Sequence, residues 1–341
     1  MAVINVLAGE SINDAFNDAD PGDTIRVAAG VFEENVVIPA GLDRLRLLGA
    51  GIGQTILDGT GSGGDGITVG SAFVTIAGFT VRDYSSNGIL VNTSDNILRD
   101  LEVQNNGDDG IDIQGDRNLI FNIKSTENGS DGIEVGGSNN YVLQSEILKN
   151  EDDGIDILGT STLVLKNKVN SNLDNGIEVN GSGSLIVENV IRNNGEDGIT
   201  VFSDGNLMFL NKANRNEDDG IEITTVENNL IFRNNVKNNN EEGIDVNGGD
   251  SNRIIENKVK LNAFTGIELS DSADLNIVDQ NLVKKNVGPG ILLTSDADDN
   301  AIRENTLSGN TPDIQADSPA DTNNTFDENN CQTSSPPGLC S

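Results

Sequence analysis

The sequence predicts an all-β chain that folds as one single-stranded, right-handed parallel β-helix, a solenoid of about 12 coils with three short strands per coil. A Gly-Ile dipeptide that returns about every 22 residues predicts the coil, and short aliphatic runs between Gly, Asn and Asp turns predict its strands. We divide the chain into an N-terminal cap with a short helix (1–23), the β-helix (24–315) and an irregular C-terminal tail or cap (316–341).

The Gly-Ile repeat sets the length of the coil. Seven successive intervals between its glycines are 22 residues long, and the last three are 23, 23 and 24. The repeat glycines are Gly66, Gly88, Gly110, Gly132, Gly154, Gly176, Gly198, Gly220, Gly243, Gly266 and Gly290. Apolar residues then alternate with an acid, a period of two that is typical of a half-buried strand. Equivalent strands are expected to stack in parallel about 4.8 Å apart.

Stacking of equivalent residues predicts three aliphatic ladders and two Asn columns. The first ladder is formed by the Ile of each Gly-Ile, from Ile67 to Ile291. The second contains Val103, Ser125, Ile147, Val169, Ile191, Ala213, Val236, Val259 and Val283, and the third contains Phe121, Leu143, Leu165, Val187, Phe209, Phe232 and Ile255. One Asn column includes Asn106, Asn128 and Asn150, and the other includes Asn167, Asn189 and Asn211. We interpret both as structural, because Asn tolerates left-handed turns and its amide can bond the same amide one coil away.

The two ends of the chain carry their own signals. Residues 11–20 predict a short amphipathic helix with Ser11 as its N-cap and Phe16 on its apolar face. Cys331 and Cys340 are the only cysteines, and their closeness favours a local disulfide and an oxidising compartment over two free thiols. The first residues have no signal-peptide pattern, and no apolar run approaches the roughly 18 residues needed to span a bilayer.

The charge balance and the absence of histidine restrict the function. With 55 acidic and 21 basic side chains the formal net charge is −34, so we expect neither nucleic acid nor an anionic membrane as a partner. The chain has no His, which excludes Ser-His-Asp and Cys-His catalysis and metal sites built on imidazole. A calcium site remains open, because calcium prefers carboxylate and carbonyl oxygens.

Three acidic columns follow the repeat and predict either a solvated acidic face or calcium binding. One column is the acid after each Gly-Ile, expected to point outward, and the others lie one and two residues before each Gly. Like charges about 5 Å apart repel one another, and raised pKa values, neighbouring bases or bound calcium would relieve that repulsion. The candidate calcium ligands are Asp108, Asp109, Asp112, Glu134, Asp152, Asp153, Asp156, Glu178, Asp218, Asp219, Glu222 and Asp245.

The Gly-Ile-acid-Ile coils, preceded by Pro-Gly-Asp-Thr-Ile-Arg-Val-Ala-Ala-Gly at residues 21–30, resemble β-helix repeat proteins of the pectin-lyase-like superfamily. The nearest group includes bacterial nitrous-oxide-reductase accessory proteins and carbohydrate-binding sugar-hydrolase modules. The C-terminal segment from Cys331 to Cys340 also resembles tails of such proteins. The resemblance implies the fold over about residues 1–315, whereas the superfamily contains lyases, hydrolases, epimerases, adhesins and scaffolds.

The same resemblance indicates which chemistry to look for. Pectate lyases of this fold hold calcium on outward acids and use a Lys or Arg to abstract a proton, and the candidate bases here are Lys149, Arg215 and Lys285. Four further bases are expected on the outer face of the third strand, namely Lys124, Lys168, Lys212 and Lys258. The Gly-His-Gly motif of polygalacturonate hydrolases is absent, as is the His of the Tyr/His pair in alginate-active relatives.

These observations predict an extracellular or cell-surface β-helix protein that binds polysaccharide or displays a surface without strong catalysis. Calcium is the only cofactor that we expect, and the alternative is that there is none. Three other functions stay open: a calcium-dependent polyuronate lyase, a glycosidase that uses a pair of carboxylates, and a purely structural fibre or coat protein. The sequence leaves the oligomeric state open.

Overall fold

The computed structural model describes residues 1–340 and is an all-β parallel β-solenoid of about 15 turns. The predicted fold class is therefore confirmed, although the coils exceed the 12 that we predicted. The chain divides into two compact units, unit 1 from Met1 to Leu173 and unit 2 from Asp174 onward. Among residues 1–340, no helix combines the length and the hydropathy needed to cross a membrane.

Unit 1 contains nineteen strands and one helix. They are β1 (Val3–Val6), α1 (Ile12–Phe16), β2 (Thr24–Val27), β3 (Gly30–Phe32), β4 (Val36–Ile38), β5 (Arg46–Leu48), β6 (Thr55–Asp58), β7 (Ile67–Val69), β8 (Thr75–Ala77), β9 (Thr80–Arg82), β10 (Ile89–Val91), β11 (Ile97–Gln104), β12 (Ile111–Ile113), β13 (Leu119–Thr126), β14 (Ile133–Val135), β15 (Tyr141–Leu143), β16 (Glu146–Leu148), β17 (Ile155–Ile157), β18 (Leu163–Leu165) and β19 (Lys168–Asn170). The three strands of one coil are illustrated by β17, β18 and β19, and we call them the Gly-Ile strand, the second strand and the third strand.

Unit 2 repeats the same three strands and ends with a short helix. Its elements are β20 (Ile177–Val179), β21 (Leu185–Val187), β22 (Val190–Arg192), β23 (Ile199–Val201), β24 (Leu207–Phe209), β25 (Lys212–Asn214), β26 (Ile221–Thr224), β27 (Leu230–Phe232), β28 (Asn235–Lys237), β29 (Ile244–Asn247), β30 (Arg253–Ile255), β31 (Lys258–Lys260), β32 (Ile267–Ser270), β33 (Ile277–Asp279), β34 (Leu282–Lys284), β35 (Ile291–Leu293), β36 (Ala301–Arg303), β37 (Thr306–Ser308), β38 (Ile314–Ala316), α2 (Ala320–Asn323), β39 (Thr325–Asp327) and β40 (Ser334–Ser335).

The Gly-Ile strands pair in parallel in the predicted register, with Ile111 opposite Ile133 and Ile133 opposite Ile155 in unit 1. These isoleucines are fully buried, as are the members of the second predicted ladder such as Ile147 and Val259. The repeat needs its glycine because the coils approach closely there. A Cβ on Gly132 would lie 2.6 Å from the carbonyl oxygen of Gly154, closer than real Cβ atoms come.

The third predicted ladder is wrong by one residue. Phe121, Leu143 and their equivalents Leu165, Val187, Phe209, Phe232 and Ile255 are only half-buried, and the core is filled by the residues just before them. Those buried residues are Ile120, Val142, Val164, Ile186, Met208, Ile231 and Ile254. Since side chains alternate between the two faces of a strand, a shift of one residue exchanges the core face for the outer face.

Both predicted Asn columns form hydrogen-bonded ladders inside the turns. In unit 1 the Asn128 amide N–H donates to Asn150 Oδ1 at 3.0 Å, and the Asn128 backbone N–H donates to the same oxygen at 3.2 Å. The equivalent bonds of unit 2 join Asn216 to Asn239, both at 3.1 Å. A further ladder, not predicted, lies before the second strand, where the Asn96 amide donates to Asn118 Oδ1 at 3.0 Å.

The N-terminal helix is shorter than predicted and is held by a carboxylate. It spans Ile12–Phe16 rather than residues 11–20, and its N-cap Ser11 accepts the Asp14 N–H at 3.3 Å. The Glu34 carboxylate accepts the Ile12 N–H at 2.7 Å and the Ser11 hydroxyl at 2.9 Å. Strand β1 pairs in parallel with β2, so strand pairing begins inside the region that we predicted only as a cap.

The C-terminal region is more regular than predicted. Strand β39 pairs in parallel with β36, and β40 pairs with β38, so stacking continues well beyond residue 315. Cys331 and Cys340 form a disulfide with their Cα atoms 5.3 Å apart. The fading of the Gly-Ile motif after residue 310 therefore marks a change of coil sequence rather than the end of the parallel pairing.

Candidate functional site

The acidic columns of unit 1 lie on and beside the Gly-Ile strands. Parallel pairing places Asp112 opposite Glu134 and Glu134 opposite Asp156 at the centre of these strands. Asp109 and Asp131 precede the repeat glycines, one column away. Carboxylate oxygens of Asp109, Asp112 and Glu134 lie within 4.8 Å of one another, and a second set consists of Asp131, Glu134 and Asp156.

The column before the glycines is buried, because its carboxylates bond the backbone of the next coil. Asp109 and Asp131 are 6% and 7% exposed. The Asp131 N–H donates to Asp109 Oδ1 at 3.0 Å, and the Asp153 N–H donates to Asp131 Oδ1 at 2.9 Å. One oxygen of each carboxyl group is thereby committed to the fold.

Burial and mutual repulsion raise the pKa values of this cluster. Burial raises the pKa of Asp131 to about 8, and the charge of Asp109 adds to the effect. Burial, followed by the charge of Asp112, raises the pKa of Glu134 to about 7. Burial also raises the pKa of Asp109 to about 6, and it raises the pKa of Asp112 above its ordinary range. A proton or a divalent cation is thus favoured at this place.

The donor set of this cluster suits calcium. Calcium takes six to eight oxygen ligands at about 2.3–2.6 Å, so two of its ligand atoms can lie as far as roughly 4.8 Å apart. The two carboxylate triads meet that limit, and turn carbonyls or water would supply the remaining ligands. The Gln114 amide donates to Asp112 at 2.6 Å and to Glu134 at 3.3 Å, which joins neighbouring coils at the edge of the cluster.

Unit 2 carries an equivalent arrangement around Asp197 and Asp219. Their carboxylate oxygens lie within 4.8 Å of each other and of an oxygen of Asp218. The Asp219 N–H donates to Asp197 Oδ1 at 2.7 Å, and the Thr200 hydroxyl donates to Oδ2 at 2.8 Å. Burial, together with neighbouring carboxylates, holds the pKa of both aspartates well above the ordinary range.

The other predicted ligands lie in the same columns with different exposure. The turn residues Asp108 and Asp152 are exposed, whereas Asp153 is buried. Half-buried positions are occupied by Glu178, Asp218, Glu222 and Asp245. For Asp245, burial and then the charge of Glu268 raise the pKa to about 8. The outward columns are therefore packed partly against the next coil, which differs from the solvated face that we considered.

The candidate bases are not among the charges that perturb Asp131 and Glu134 in unit 1. Lys149 Nζ lies 3.1 Å from Glu127, and both side chains are exposed. Arg215 lines a groove on unit 2. Lys285 occupies the same turn position as Arg215, three coils further along the chain. The charges that raise the pKa values of Asp131 and Glu134 are all carboxylates. In unit 1 the candidate base Lys149 thus pairs with Glu127, which is not a member of either carboxylate triad.

The groove on unit 2 was missed in the sequence. It has a volume of about 320 Å³ and is lined by Val190, Arg192, Lys212, Asn214, Arg215 and Lys237. Four of these six residues are cationic, in a chain whose formal net charge is −34. The sequence does contain a signal for this groove. Lys and Arg recur at outward third-strand positions of unit 2, and no acid occupies those positions between them.

Solved structures with this architecture come from several sources. The mannuronan C-5 epimerase AlgE6 A-module of Azotobacter vinelandii is 17% identical, with a TM-score of 0.61 over 94% of this chain and 89% of that one. A mannuronic acid specific polysaccharide family 6 lyase from human gut microbiota is 11% identical, with a TM-score of 0.68 over 97% and 87%. The Dettilon tailspike protein is 16% identical, with a TM-score of 0.62 over 94% and 70%. At such identities the likeness shows the fold alone.

Comparison with curated proteins finds no match to this chain. The family model described as the right-handed beta helix region matches residues 65–211 and 175–339, and these two matches take in most of the chain. The matched residues include the Gly-Ile coils that define the solenoid. The chain therefore belongs to the right-handed β-helix family.

Proposed function

We propose that this chain is an extracellular or cell-surface protein that binds polysaccharide along its solenoid and performs no strong catalysis. The observation that supports it is the repetition of outward side chains in register, coil after coil, which offers a polymer of repeating units a series of equivalent contacts. Mannuronan- and mannuronic-acid-specific proteins of the same architecture, an epimerase module and a lyase, add support. The pairing of Lys149 with Glu127, outside the carboxylate triads, favours binding over proton abstraction.

Calcium belongs to this proposal as a structural ligand of the acidic cluster in unit 1. The triad of Asp109, Asp112 and Glu134 would supply its carboxylate ligands. A bound divalent cation would offset the burial and the mutual repulsion that now raise their pKa values, and it would hold neighbouring coils together. Its role in the proposal is to stabilise the solenoid, and the polysaccharide contacts do not depend on it.

The second candidate function is a calcium-dependent polyuronate lyase. The carboxylate triads favour it, because a lyase of this type needs a cation to stabilise the charge that develops on the uronate. Lys149 would have to leave Glu127 to act as a base there. Arg215 and Lys285 lie in unit 2, where the acids beside Asp197 would have to supply the metal site.

Two measurements on the purified full chain separate these functions. Affinity electrophoresis in gels that contain polygalacturonate, alginate or neutral dextran tests binding, and absorbance at the unsaturated-uronate band in millimolar calcium tests lyase activity. We expect retardation by at least one polymer with no rise in absorbance. A rise would establish a lyase, and Lys149, Arg215 and Lys285 would then be replaced one at a time by Gln. Migration unaffected by every polymer would contradict polysaccharide binding.

A further inference from the structure

A cationic surface covers the third strands of unit 2 and the turn that follows each of them. Parallel pairing places Lys237 opposite Lys260 and Lys260 opposite Lys284, so three successive coils present a lysine in one column. A neighbouring column contains Lys212 and Lys258, separated by Asn235. We call this the basic surface, and its cations are Arg192, Lys212, Arg215, Lys237, Lys258, Lys260, Lys284 and Lys285.

The cations of the basic surface form no ion pair with an acid among the described residues. Between described residues of unit 2 the ion pairs are Arg233–Glu256 and Arg303–Asp279, and neither includes a cation of the basic surface. Repulsion from Lys258 lowers the pKa of Lys260, and loss of hydration and the charge of Lys237 lower it further. Like charges directly opposite each other destabilise a sheet. The surface thus carries an electrostatic cost that an anionic ligand would remove.

The shape and the chemistry of the surface indicate the kind of ligand. Its concave part is the groove of about 320 Å³ lined by Arg192, Lys212, Arg215 and Lys237, which suits a narrow polymer. A guanidinium group binds a carboxylate or a sulfate through two parallel hydrogen bonds, and lysines act as point charges. The two columns contain no aromatic side chain on which unpaired nucleic-acid bases could stack. These features favour an anionic polysaccharide.

We propose that an anionic polysaccharide lies on the basic surface of unit 2 and runs from coil to coil along its third strands. The inference rests on the polysaccharide binding proposed above, and it adds the site and the charge of the ligand. The site lies on the third strands, whereas the acidic columns follow the Gly-Ile strands. Successive lysines of a column stand about one strand spacing apart, roughly 4.8 Å, so each coil can meet a further anionic group of the polymer.

A matched pair of double variants tests this site. Lys212→Gln with Lys258→Gln removes two charges from the basic surface, and Lys124→Gln with Lys168→Gln removes two charges from third-strand positions of unit 1. Both variants change the net charge equally, and equal melting temperatures would show that both fold. Binding of polygalacturonate, dextran sulfate and neutral dextran is measured by affinity electrophoresis at low and high salt. We expect the unit 2 variant to bind the anionic polymers on the order of tenfold more weakly, and the unit 1 variant to bind as the wild type does.

Each outcome has a defined meaning. Binding of polygalacturonate or of dextran sulfate that weakens with salt and in the unit 2 variant supports the site, and the preferred polymer identifies carboxylate or sulfate as the anion. Equal binding by both variants, equal binding of neutral dextran, or equal competition by a single-stranded oligonucleotide would overturn the inference and leave the broader function standing. Failure of every polymer to bind would remove the broader function itself. Low-salt oligomers that only the unit 2 variant dissolves would assign the surface to a second copy of the chain and overturn the inference.

Discussion

The third strands of the two units use the same backbone position in opposite ways. In unit 1 the column pairs Glu102 with Lys124, Lys124 with Glu146 and Glu146 with Lys168, so that charges alternate. Lys124 lies 2.7 Å from Glu102, and Lys168 lies 4.0 Å from Glu146. In unit 2 the equivalent column has no acid. The fold requires only that the inward residues be apolar, and the outward ladder is free to neutralise itself or to remain charged.

Both units depend on the same buried ladders for stability, but they differ in the charge of their third strands. The Asn ladders and the aliphatic core recur in both, so their loss should be equally costly on either side. The charge of the third strands differs, so substitutions there should have different signs.

Removal of a ladder amide should destabilise both units strongly. Asn150→Ala removes the oxygen that accepts the backbone N–H and one amide N–H of Asn128, and Asn239→Ala removes the equivalent acceptor from Asn216. The Asn128 amide keeps its other bond, to the Ser125 hydroxyl at 2.9 Å. Each buried donor left unbonded costs about 1–3 kcal/mol, so we expect a loss of roughly 2–4 kcal/mol for either variant. Urea unfolding measures it. A loss in only one unit would show that the ladders are not equivalent.

The buried carboxyl groups predict that stability falls as the pH rises. Their pKa values are higher in the folded state than in the unfolded state, so the folded state binds more protons between about pH 4 and pH 8. Without calcium, the free energy of unfolding should decrease by about 1–3 kcal/mol from pH 5 to pH 8. Asp131→Asn keeps an acceptor for the Asp153 N–H and should reduce this slope. An unchanged slope would exclude Asp131 as a source of it.

Calcium should stabilise the folded protein by neutralising the buried carboxylates, and this effect should be stronger at high pH. At pH 8 in millimolar calcium we expect the melting temperature to rise by a few degrees relative to EDTA, and by less at pH 5, where the carboxyl groups are protonated. Asp112→Asn with Glu134→Gln should abolish the rise. Equal melting curves in calcium and EDTA at pH 8 would contradict calcium binding, and magnesium serves as the control for general screening.

Charge reversal on the third strands should have opposite signs in the two units. Lys124→Glu places three acids in successive coils of unit 1 and should destabilise the protein by about 0.5–1 kcal/mol. Lys260→Glu instead separates Lys237 from Lys284 in unit 2 and should be neutral or stabilising by a similar amount. Urea unfolding at low salt measures both effects, and 1 M salt should remove them. Equal destabilisation would mean that the charge pattern of the two units does not matter.

The sequence by itself determined the repeat, the three strands per coil, the first two core ladders and the Asn columns. Each depends on a period that can be counted along the chain, and on a residue with one preferred place, such as the glycine against which the next coil packs. The second strand was placed one residue out of register because runs such as residues 163–165 are apolar throughout. Such a run has no alternation to tell the inner face from the outer one.

Only the tertiary structure decided which charges are buried and which are paired. Asp109 and Asp131 look like surface acids in the sequence, and their burial follows from backbone N–H groups that belong to the next coil. The basic surface of unit 2 depends on which third-strand residues face outward together and on whether an acid lies beside them. Whether a charged side chain is buried or paired depends on neighbours about 22 residues away in the sequence. Periodicity predicts which residues become neighbours, but it does not predict how buried they are or which of them form ion pairs.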